Sequence, residues 1–293
     1  MFFIGTCFIK LNLTLRVTSR RKDGYHDIFS LFWRLRSPET IEADFDSGHE
    51  GLEVTGVDIQ GENILTRVFR HIRGVYGEDA LPPARVRLHK HIPTGSGVGA
   101  GSGNAAAFLR VFRALRGGGP IPGISSLGAD VVFLASGHSL ALASGIGDLL
   151  ESVSGDLRLV PVIFFPGWSV GTFYAYRALD EIRASGGADA LSADEARDEA
   201  LSVLSLLRRG ERVGMLPNDF VLCAGHDDEY TALRGAAYSA GALAWGLCGS
   251  GGAFFALFRP DDFGDCMPVM FDAIRGKDGK KKFQWLQQIL VLE

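Results

Sequence analysis

The sequence lacks the features that define several classes of protein. Its 293 residues include four cysteines, at positions 7, 223, 248 and 266, with no CxxC pair and no histidine at metal-ligand spacing. This pattern excludes a disulfide framework or a zinc motif and predicts reduced thiols in a cytoplasmic protein. No apolar run has membrane-spanning length. The short apolar stretch 1–9 lacks a preceding basic region, which favours a buried strand over a signal peptide.

A dominant charge of one sign is also missing. The net charge is −4 with 22% charged residues, so no basic face predicts binding to nucleic acid. The basic runs 20–22 and 280–282 are short and are typical of solvated corners. No internal repeat or extended low-complexity tract is present. The length and the 46% hydrophobic content are those of a globular protein with one large or two medium domains.

Glycine, in contrast, is present in a regular pattern, because every odd position from 95 to 103 is glycine. The apolar residues that follow have helical spacing and predict a helix over 104–116, with Asn104 as its N-cap. A glycine loop that leads into a helix presents free backbone N–H groups and the positive end of the helix dipole to an anion. The pattern predicts either phosphate binding or a flexible surface loop without function.

Three other stretches contain residues of the types that take part in binding or catalysis. Residues 10–17 alternate between polar and apolar and predict a half-buried strand whose polar face, with Lys10 and Asn12, is either solvated or functional. Tyr25 and His26 follow an Asp-Gly turn signal and either stack on a flat heterocycle or are ordinary strand residues. Asp130 is expected at the mouth of an apolar strand, as a cap or as a working carboxylate.

The remaining pattern predicts strands and helices in mixed order. A second glycine cluster, residues 246–252, lies between a predicted helix and a strand. A change of composition near 150–156 predicts two domains, 1–154 and 155–293. The mixed order favours an α+β fold over a doubly wound parallel sheet. Further strands are expected at 28–45, 85–92, 137–147, 157–165 and 253–258, and further helices at 63–73, 193–209, 228–244 and 260–275.

The glycine-rich segment does not match two well-known phosphate-binding loops. A Walker A loop requires Gly-Lys-Ser/Thr, whereas residues 101–104 are Gly-Ser-Gly-Asn. The Rossmann fingerprint is formally present over 95–100, but it requires an acidic residue on the next strand roughly 20 residues further on. A Gly/Pro-rich loop at 117–123 follows the predicted helix instead.

A third kind of loop matches motifs along most of the chain. Five motifs occur in the order found in the GHMP kinases, which this sequence resembles. They are Lys-Leu-Asn-Leu at 10–13, the run 93–106, Gly-Ala-Asp-Val at 128–131, Pro-Asn-Asp at 217–219 and Gly-Ser-Gly at 249–251. Arg-Lys-Asp-Gly-Tyr-His at 21–26 is similar to a motif of one branch of that family, whose substrate is a CDP-linked methylerythritol. Gly103 replaces a serine of the family pattern, Val132 replaces a proline, and the segment before Asp130 is short.

The resemblance implies a two-domain α+β GHMP kinase fold. The N-terminal domain would resemble domain 2 of ribosomal protein S5, and the C-terminal domain would be ferredoxin-like. The implied activity is the ATP- and Mg²⁺-dependent phosphorylation of the substrate's 2-hydroxyl in non-mevalonate isoprenoid biosynthesis. The implied protein is a cytoplasmic monomer or homodimer that binds neither nucleic acid nor membrane. The alternatives are a GHMP-type kinase for another small alcohol and a non-catalytic nucleotide-binding descendant.

The resemblance also implies roles for individual residues. Asp130 would be the catalytic base, and Lys10 would hold it and offset developing negative charge. No dedicated protein ligand for the metal is expected. The substrate would be bound by Asn12, Tyr25, His26 and Tyr176, with aromatic rings on both faces of the cytosine. ATP would be bound by Asn63, Pro93, Gly95, Ser96, Gly97, Val98, Gly99, Ala100, Gly101, Ser102 and Gly103.

Overall fold

The computed structural model describes residues 1–46, 48, 50–59, 61–275 and 283–292. The chain divides into two compact units. The predicted domain boundary between residues 154 and 155 stays a prediction, and the basic run 280–282 lies outside the described residues. The first unit contains Met1–Lys10, Arg34–Thr94 and Gly99–His138, and the second contains Leu11–Trp33, Gly95–Val98 and Ser139–Glu293.

Two long strands, β1 (Phe2–Arg20) and β2 (His26–Asp44), pair with each other, and each contributes a part to both units. In the first unit, β2 pairs antiparallel with β4 (Arg85–Lys90), and β4 pairs in parallel with β3 (Gly51–Gly56). The predicted strands 10–17, 28–45 and 85–92 are therefore confirmed, with shifted ends.

The described part of the first unit also contains the α-helices α1 (Ile64–Tyr76), α2 (Ala100–Leu115) and α3 (Ala129–Ser136). Helix α1 begins where Asn63 accepts a hydrogen bond from the backbone N–H of Leu65. It buries one apolar stripe, which packs with α2 and the strands into a single core. Helix α2 also contacts α3, so both helices that follow the glycine-rich segment are anchored in that core.

In the second unit, β2 pairs antiparallel with β5 (Leu140–Ser144), which pairs with β6 (Leu149–Val153). A further sheet contains β7 (Val160–Pro166), β8 (Gly214–Met215), β9 (Ala244–Leu247), β10 (Phe254–Phe258) and β11 (Leu286–Val291). Its strand order is β11-β7-β10-β9-β8. Adjacent strands are antiparallel except for the parallel pair β8–β9.

Among the described residues, the second unit contains the α-helices α4 (Thr172–Ala184), α5 (Ala193–Arg208), α6 (Asp227–Ser239) and α7 (Phe263–Arg275). Helix α6 packs on α7 and β10 in an aromatic-rich core. The helices predicted at 193–209, 228–244 and 260–275 are confirmed with shifted ends, whereas α4 and β11 were not predicted. Within the described residues, no helix is both long and apolar enough to cross a membrane.

The prediction that Asn104 caps a helix is wrong. Helix α2 begins at Ala100, with Gly99 at the cap position in the left-handed region (φ 69°), and Asn104 is buried inside the helix. Glycine adds nothing to an apolar pattern, so the first turn of α2 is invisible to periodicity. Tertiary packing explains why glycine occurs in this turn, because a Cβ on Gly103 would lie 1.8 Å from the carbonyl oxygen of Phe8.

The prediction of a strand beginning at Asp130 is also wrong. Asp130 lies in the first turn of α3. The segment after it is apolar all round because α3 buries Val131, Phe133 and Leu134. A short buried helix and a buried strand have the same apolar sequence signature, so periodicity does not separate them.

Candidate active site

Lys10 and Asp130 form an ion pair in the first unit. The Nζ of Lys10 lies 3.5 Å from Oδ2 of Asp130, with the lysine side chain 6% exposed and the aspartate side chain 30% exposed. Lys10 reaches this position from β1, and Asp130 reaches it from the start of α3, where the helix dipole favours a carboxylate. The structure therefore brings the two predicted catalytic residues together and leaves the carboxylate accessible.

The first glycine loop (residues 95–103) ends against this ion pair. A Cβ built on Gly99 would lie 3.1 Å from Oδ2 of Asp130 and 3.4 Å from Cγ of Lys10. Gly99 also has a left-handed backbone, which disfavours any larger residue. The loop backbone is thereby in direct contact with both charged side chains.

The start of α2 forms an anion cradle within this loop. The first intrahelical bond runs from the N–H of Gly103 to the carbonyl of Gly99. The N–H groups of Ala100, Gly101 and Ser102 precede it and have no acceptor within the helix. Together with the helix dipole, these donors form a site suited to a phosphate.

Burial separates the supporting side of the first glycine loop from its accessible side. Ser96 and Val98 are 6% and 0% exposed, so they hold the loop from behind. Gly101 has open space above it, because a Cβ there would meet no atom within 4 Å. Accessible surface remains on Pro93, Gly95, Gly97, Gly99, Gly101 and Ser102, whereas Ala100 and Gly103 are buried.

In the second unit, Gly97 lies against the second glycine loop (residues 246–252). A Cβ on Gly97 would lie 1.9 Å from the carbonyl oxygen of Cys248, and the N–H of Ala253 donates to the carbonyl of Ser96 at 3.2 Å. The backbones are therefore in van der Waals contact, which explains why both segments contain glycine here.

Asparagine side chains hold the second glycine loop. The Oδ1 of Asn12 accepts from the N–H of Gly249 at 3.1 Å, and Nδ2 of Asn218 donates to the carbonyl of Gly249 at 2.9 Å. Asn12 also donates to Oγ of Ser30 and is 2% exposed. The polar face of β1 is therefore buried rather than solvated. The structure gives Asn12 a supporting contact with the loop, and its predicted role in substrate binding stays a prediction.

Two predicted substrate residues, His26 and Tyr176, stack on each other in the second unit. Their ring centroids are 4.5 Å apart with an interplanar angle of 18°. Nε2 of His26 lies 2.9 Å from Oδ1 of Asp180, and Tyr25 is 61% exposed. The aromatic surface is present, but at this spacing no base fits between the two rings.

Asn63 contains an unused donor. While its Oδ1 caps α1, its Nδ2 is buried and makes no hydrogen bond within the described part of the chain. A buried unpaired donor is unfavourable unless a ligand or water accepts from it. No group of three histidine, cysteine, aspartate or glutamate side chains converges to hold a metal ion among the residues that the structure describes.

Comparison with known proteins gives the family of this chain. Residues 63–155 match the N terminal domain of GHMP kinases, and residues 223–265 match the GHMP kinases C terminal domain. The chain is 34% identical to the 4-diphosphocytidyl-2-C-methyl-D-erythritol kinase of Nitratidesulfovibrio vulgaris (strain DP4), over 92% of this chain and 93% of the relative. This chain belongs to the GHMP kinase family.

Two further similarities cover most of this GHMP kinase. The kinase of the same name from Moorella thermoacetica is 35% identical, over 85% of this chain and 87% of the relative. A crystal structure of 4-(cytidine 5'-diphospho)-2C-methyl-D-erythritol kinase has a TM-score of 0.71 and 28% identity, and the match covers 100% of this chain and 98% of that one. The predicted two-domain α+β GHMP kinase fold is confirmed. Membership of a kinase family implies the use of ATP.

Sequence reasoning missed a buried acid in this GHMP kinase. Glu39 of β2 is fully buried and forms an ion pair with Lys90 of β4 at 2.9 Å. Alternation along β2 places Glu39 on the same face as Ile41 and Ala43, which are core residues. An acidic residue on an apolar strand face requires a buried partner. The position of Glu39 in the alternating pattern was therefore the sequence signal that could have predicted this ion pair.

Proposed function

We propose that this GHMP kinase transfers the γ-phosphoryl group of ATP to the 2-hydroxyl of 4-diphosphocytidyl-2-C-methyl-D-erythritol, a step of non-mevalonate isoprenoid biosynthesis. The observation that carries the proposal is the Lys10–Asp130 ion pair in contact with Gly99 of the first glycine loop. Relatives that align with most of the chain carry the name of that kinase and support the choice of acceptor.

Asp130 acts as the general base in this proposal. An alcohol is a poor nucleophile until a base removes its proton, and the Asp130 carboxylate is accessible enough to accept it. Lys10 orients that carboxylate and offsets the negative charge on the attacking oxygen. The new bond forms between that oxygen and the γ-phosphorus as the bond from the γ-phosphorus to the ADP oxygen breaks.

The first glycine loop supplies the ATP site. N–H groups at residues 100–102 donate to phosphate oxygens, which stabilises negative charge that spreads over the phosphoryl group during transfer. The buried, unpaired Nδ2 of Asn63 fits a role as donor to a ring nitrogen of adenine. The predicted ATP residues thus include backbone donors for the phosphates at 100–102 and one side-chain donor for the base, whereas Ser96 and Val98 support the loop from behind.

The residues present fit a magnesium ion that enters with the nucleotide. Mg²⁺ in kinases is usually held by substrate phosphates, waters and one or two carboxylates, so a cage of several protein ligands is not required. The hydroxyl of Ser102, at the accessible start of α2, would contact it beside the phosphates. When bound there, the ion would supply positive charge that offsets the phosphate charge during transfer.

The cytosine of the substrate is bound by Tyr25, His26 and Tyr176. When Nε2 of the neutral His26 ring donates a hydrogen bond to Asp180, Nδ1 of the same ring is an acceptor. The exocyclic amine of cytosine is a donor and complements that acceptor. Because His26 and Tyr176 stack on each other, the cytosine approaches the edge of His26 and does not enter between these two rings.

The remaining predictions concern the protein as a whole. One chain supplies every residue named in this reaction, so either a monomer or a homodimer satisfies the proposal. The described cysteines are free thiols, which supports a cytoplasmic location.

The test is an assay of purified protein with Mg-ATP and 4-diphosphocytidyl-2-C-methyl-D-erythritol. We expect ADP release with phosphorylation of the acceptor, measured by mass spectrometry, and loss of turnover when EDTA removes Mg²⁺. Asp130→Asn is expected to lower kcat by about 10²–10⁴-fold because the proton acceptor is lost. The control is Asp262→Asn, an exposed aspartate paired with Arg259, which should leave kcat unchanged.

Other outcomes distinguish the alternatives. Equal kcat for Asp130→Asn and the unchanged protein would exclude the base assignment. Turnover of homoserine or mevalonate in place of the CDP-linked acceptor would identify a GHMP kinase for another small alcohol. ATP binding without turnover of any acceptor would identify a non-catalytic descendant.

A further inference from the structure

The buried carboxylate of Glu39 accepts hydrogen bonds from two separate segments of the first unit, residues 90–92 and Asn104. Its Oε1 accepts from Nζ of Lys90 at 2.9 Å and from the backbone N–H groups of His91 and Ile92 at 3.2 and 3.0 Å. Its Oε2 accepts from Nδ2 of Asn104 at 2.7 Å. All four of these partners are donors, and two of them are backbone N–H groups.

These donors stand at the two ends of the first glycine loop. His91 and Ile92 lie just before Pro93, where the chain enters the loop, and Asn104 follows directly after it in α2. The antiparallel register of β2 and β4 places Glu39 opposite Lys90, so the sheet sets the position of the carboxylate. A single rigid group therefore holds both ends of the segment that contains the anion cradle.

The polar side chains of this network are buried. Glu39, Lys90 and Asn104 are 0%, 2% and 1% exposed. Asn104 also donates to Sγ of Cys7 at 3.4 Å, and burial raises the pKa of the Cys7 thiol to about 11. A buried ion pair adds little stability compared with an apolar pair of the same shape. Its distinctive property here is that it fixes backbone N–H groups, which an apolar pair does not do.

We propose that Glu39 is a positioning residue for ATP: it fixes both ends of the first glycine loop so that the N–H groups of residues 100–102 are preorganised for the phosphates. The inference rests on the proposed function in that ATP is the ligand. It concerns the geometry of the loop before any acceptor binds. Glu39 itself touches neither the nucleotide nor the reacting atoms.

The test uses the double variant Glu39→Met/Lys90→Met in the full chain. Replacing both charges with apolar side chains of similar size leaves no unpaired buried charge, so the protein is expected to fold. The loop loses its acceptor at both ends. We expect the Kd for Mg-ATP, measured by calorimetry without acceptor, to rise about tenfold. The KM for the acceptor should stay unchanged, and amide hydrogen exchange at residues 93–103 should become faster.

The matched control is Ile72→Ala, which leaves a cavity in the core of the same unit on α1. It should lower the melting temperature without changing the Kd for Mg-ATP. A folded double variant with a Kd within about twofold of the unchanged protein, or with unchanged exchange at 93–103, would overturn the positioning role. ATP binding by the unchanged protein without acceptor turnover would reject only the proposed acceptor, because the Kd comparison would still report on Glu39.

Discussion

The two glycine loops have similar compositions but use glycine in different ways. In the first glycine loop, Gly99 takes a left-handed conformation beside Asp130, and the N–H groups that follow have no acceptor within α2. In the second, the N–H and the carbonyl of Gly249 are both engaged, by Asn12 and Asn218. One loop therefore leaves backbone donors without an acceptor in its own helix, whereas the other uses them within the chain.

This difference shows that glycine content does not by itself identify a phosphate loop. The second glycine loop needs glycine because it lies against residues 95–98, where a Cβ on Gly249 would be 2.9 Å from the carbonyl oxygen of Gly97. The first needs glycine for that contact and also for access to its N–H groups. The second loop is accordingly a support, and the first is the candidate binding element.

The largest expected effect comes from the contact between the two loops. Gly97→Ala places a Cβ 1.9 Å from the carbonyl oxygen of Cys248 at a left-handed φ of 83°. Backbone strain and steric overlap together should lower the free energy of unfolding by about 3–5 kcal/mol, measured by urea denaturation.

The control for Gly97→Ala is Gly186→Ala. Gly186 has a φ of 76° and nothing within 4 Å of its Cβ position, so only the backbone strain of about 1–2 kcal/mol remains. Equal losses in the two variants would show that the loops are not in close contact in solution.

An intermediate effect is expected when the second glycine loop loses its support. Asn218→Ala removes the donor to the carbonyl of Gly249 and the acceptor of the Phe220 N–H. We expect a loss of about 1–3 kcal/mol in the free energy of unfolding. Amide hydrogen exchange should become faster at 249–252 and stay unchanged at 99–103, because each loop has its own anchors.

Ser192→Ala is the matched control for this variant. It removes the N-cap of α5, which should lower stability by about 1 kcal/mol without affecting exchange at 249–252. Faster exchange at 99–103 in Asn218→Ala would contradict the separate support of the two loops.

The smallest expected effect is a gain in stability rather than a loss. Gly101→Ala adds a methyl group to the first turn of α2 where no atom lies within 4 Å, so helix propensity should raise the free energy of unfolding by about 0.5–1 kcal/mol. The same methyl group occupies the open side of the anion cradle, so the affinity for Mg-ATP should fall, as measured by calorimetry.

Gly74→Ala is the control within a helix away from the cradle, since Gly74 lies in α1 and also has open space around it. It should give a similar gain in stability with no change in ATP affinity. Unchanged ATP affinity in Gly101→Ala would remove Gly101 from the binding surface.

Much of the secondary structure follows from local pattern. The alternation in 10–17 and the helical spacing after Asn63 depend only on residues within a few turns, and both predictions are confirmed. Local pattern failed at Asp130 and at the start of α2. A buried apolar helix resembles a strand, and glycine carries no hydrophobic signal.

Gly103 illustrates what family motifs leave unexplained. It replaces a serine of the pattern, and the sequence contains no reason for the change. In the structure, α2 packs against β1 so closely that a Cβ on Gly103 would lie 1.8 Å from the carbonyl oxygen of Phe8. The contact joins residues that are far apart in the chain, so no local window contains it.

The sequence alone determined the glycine spacing, most of the strands and helices, and the ordered motifs from Lys10 to Gly251 that identify a GHMP kinase. Only the tertiary structure decided which polar side chains are buried and what they hold. Asn12 anchors Gly249, and Glu39 joins Lys90 to Asn104. The physical reason is that hydrophobic periodicity is local, whereas a buried polar group must find its partner wherever the fold places one.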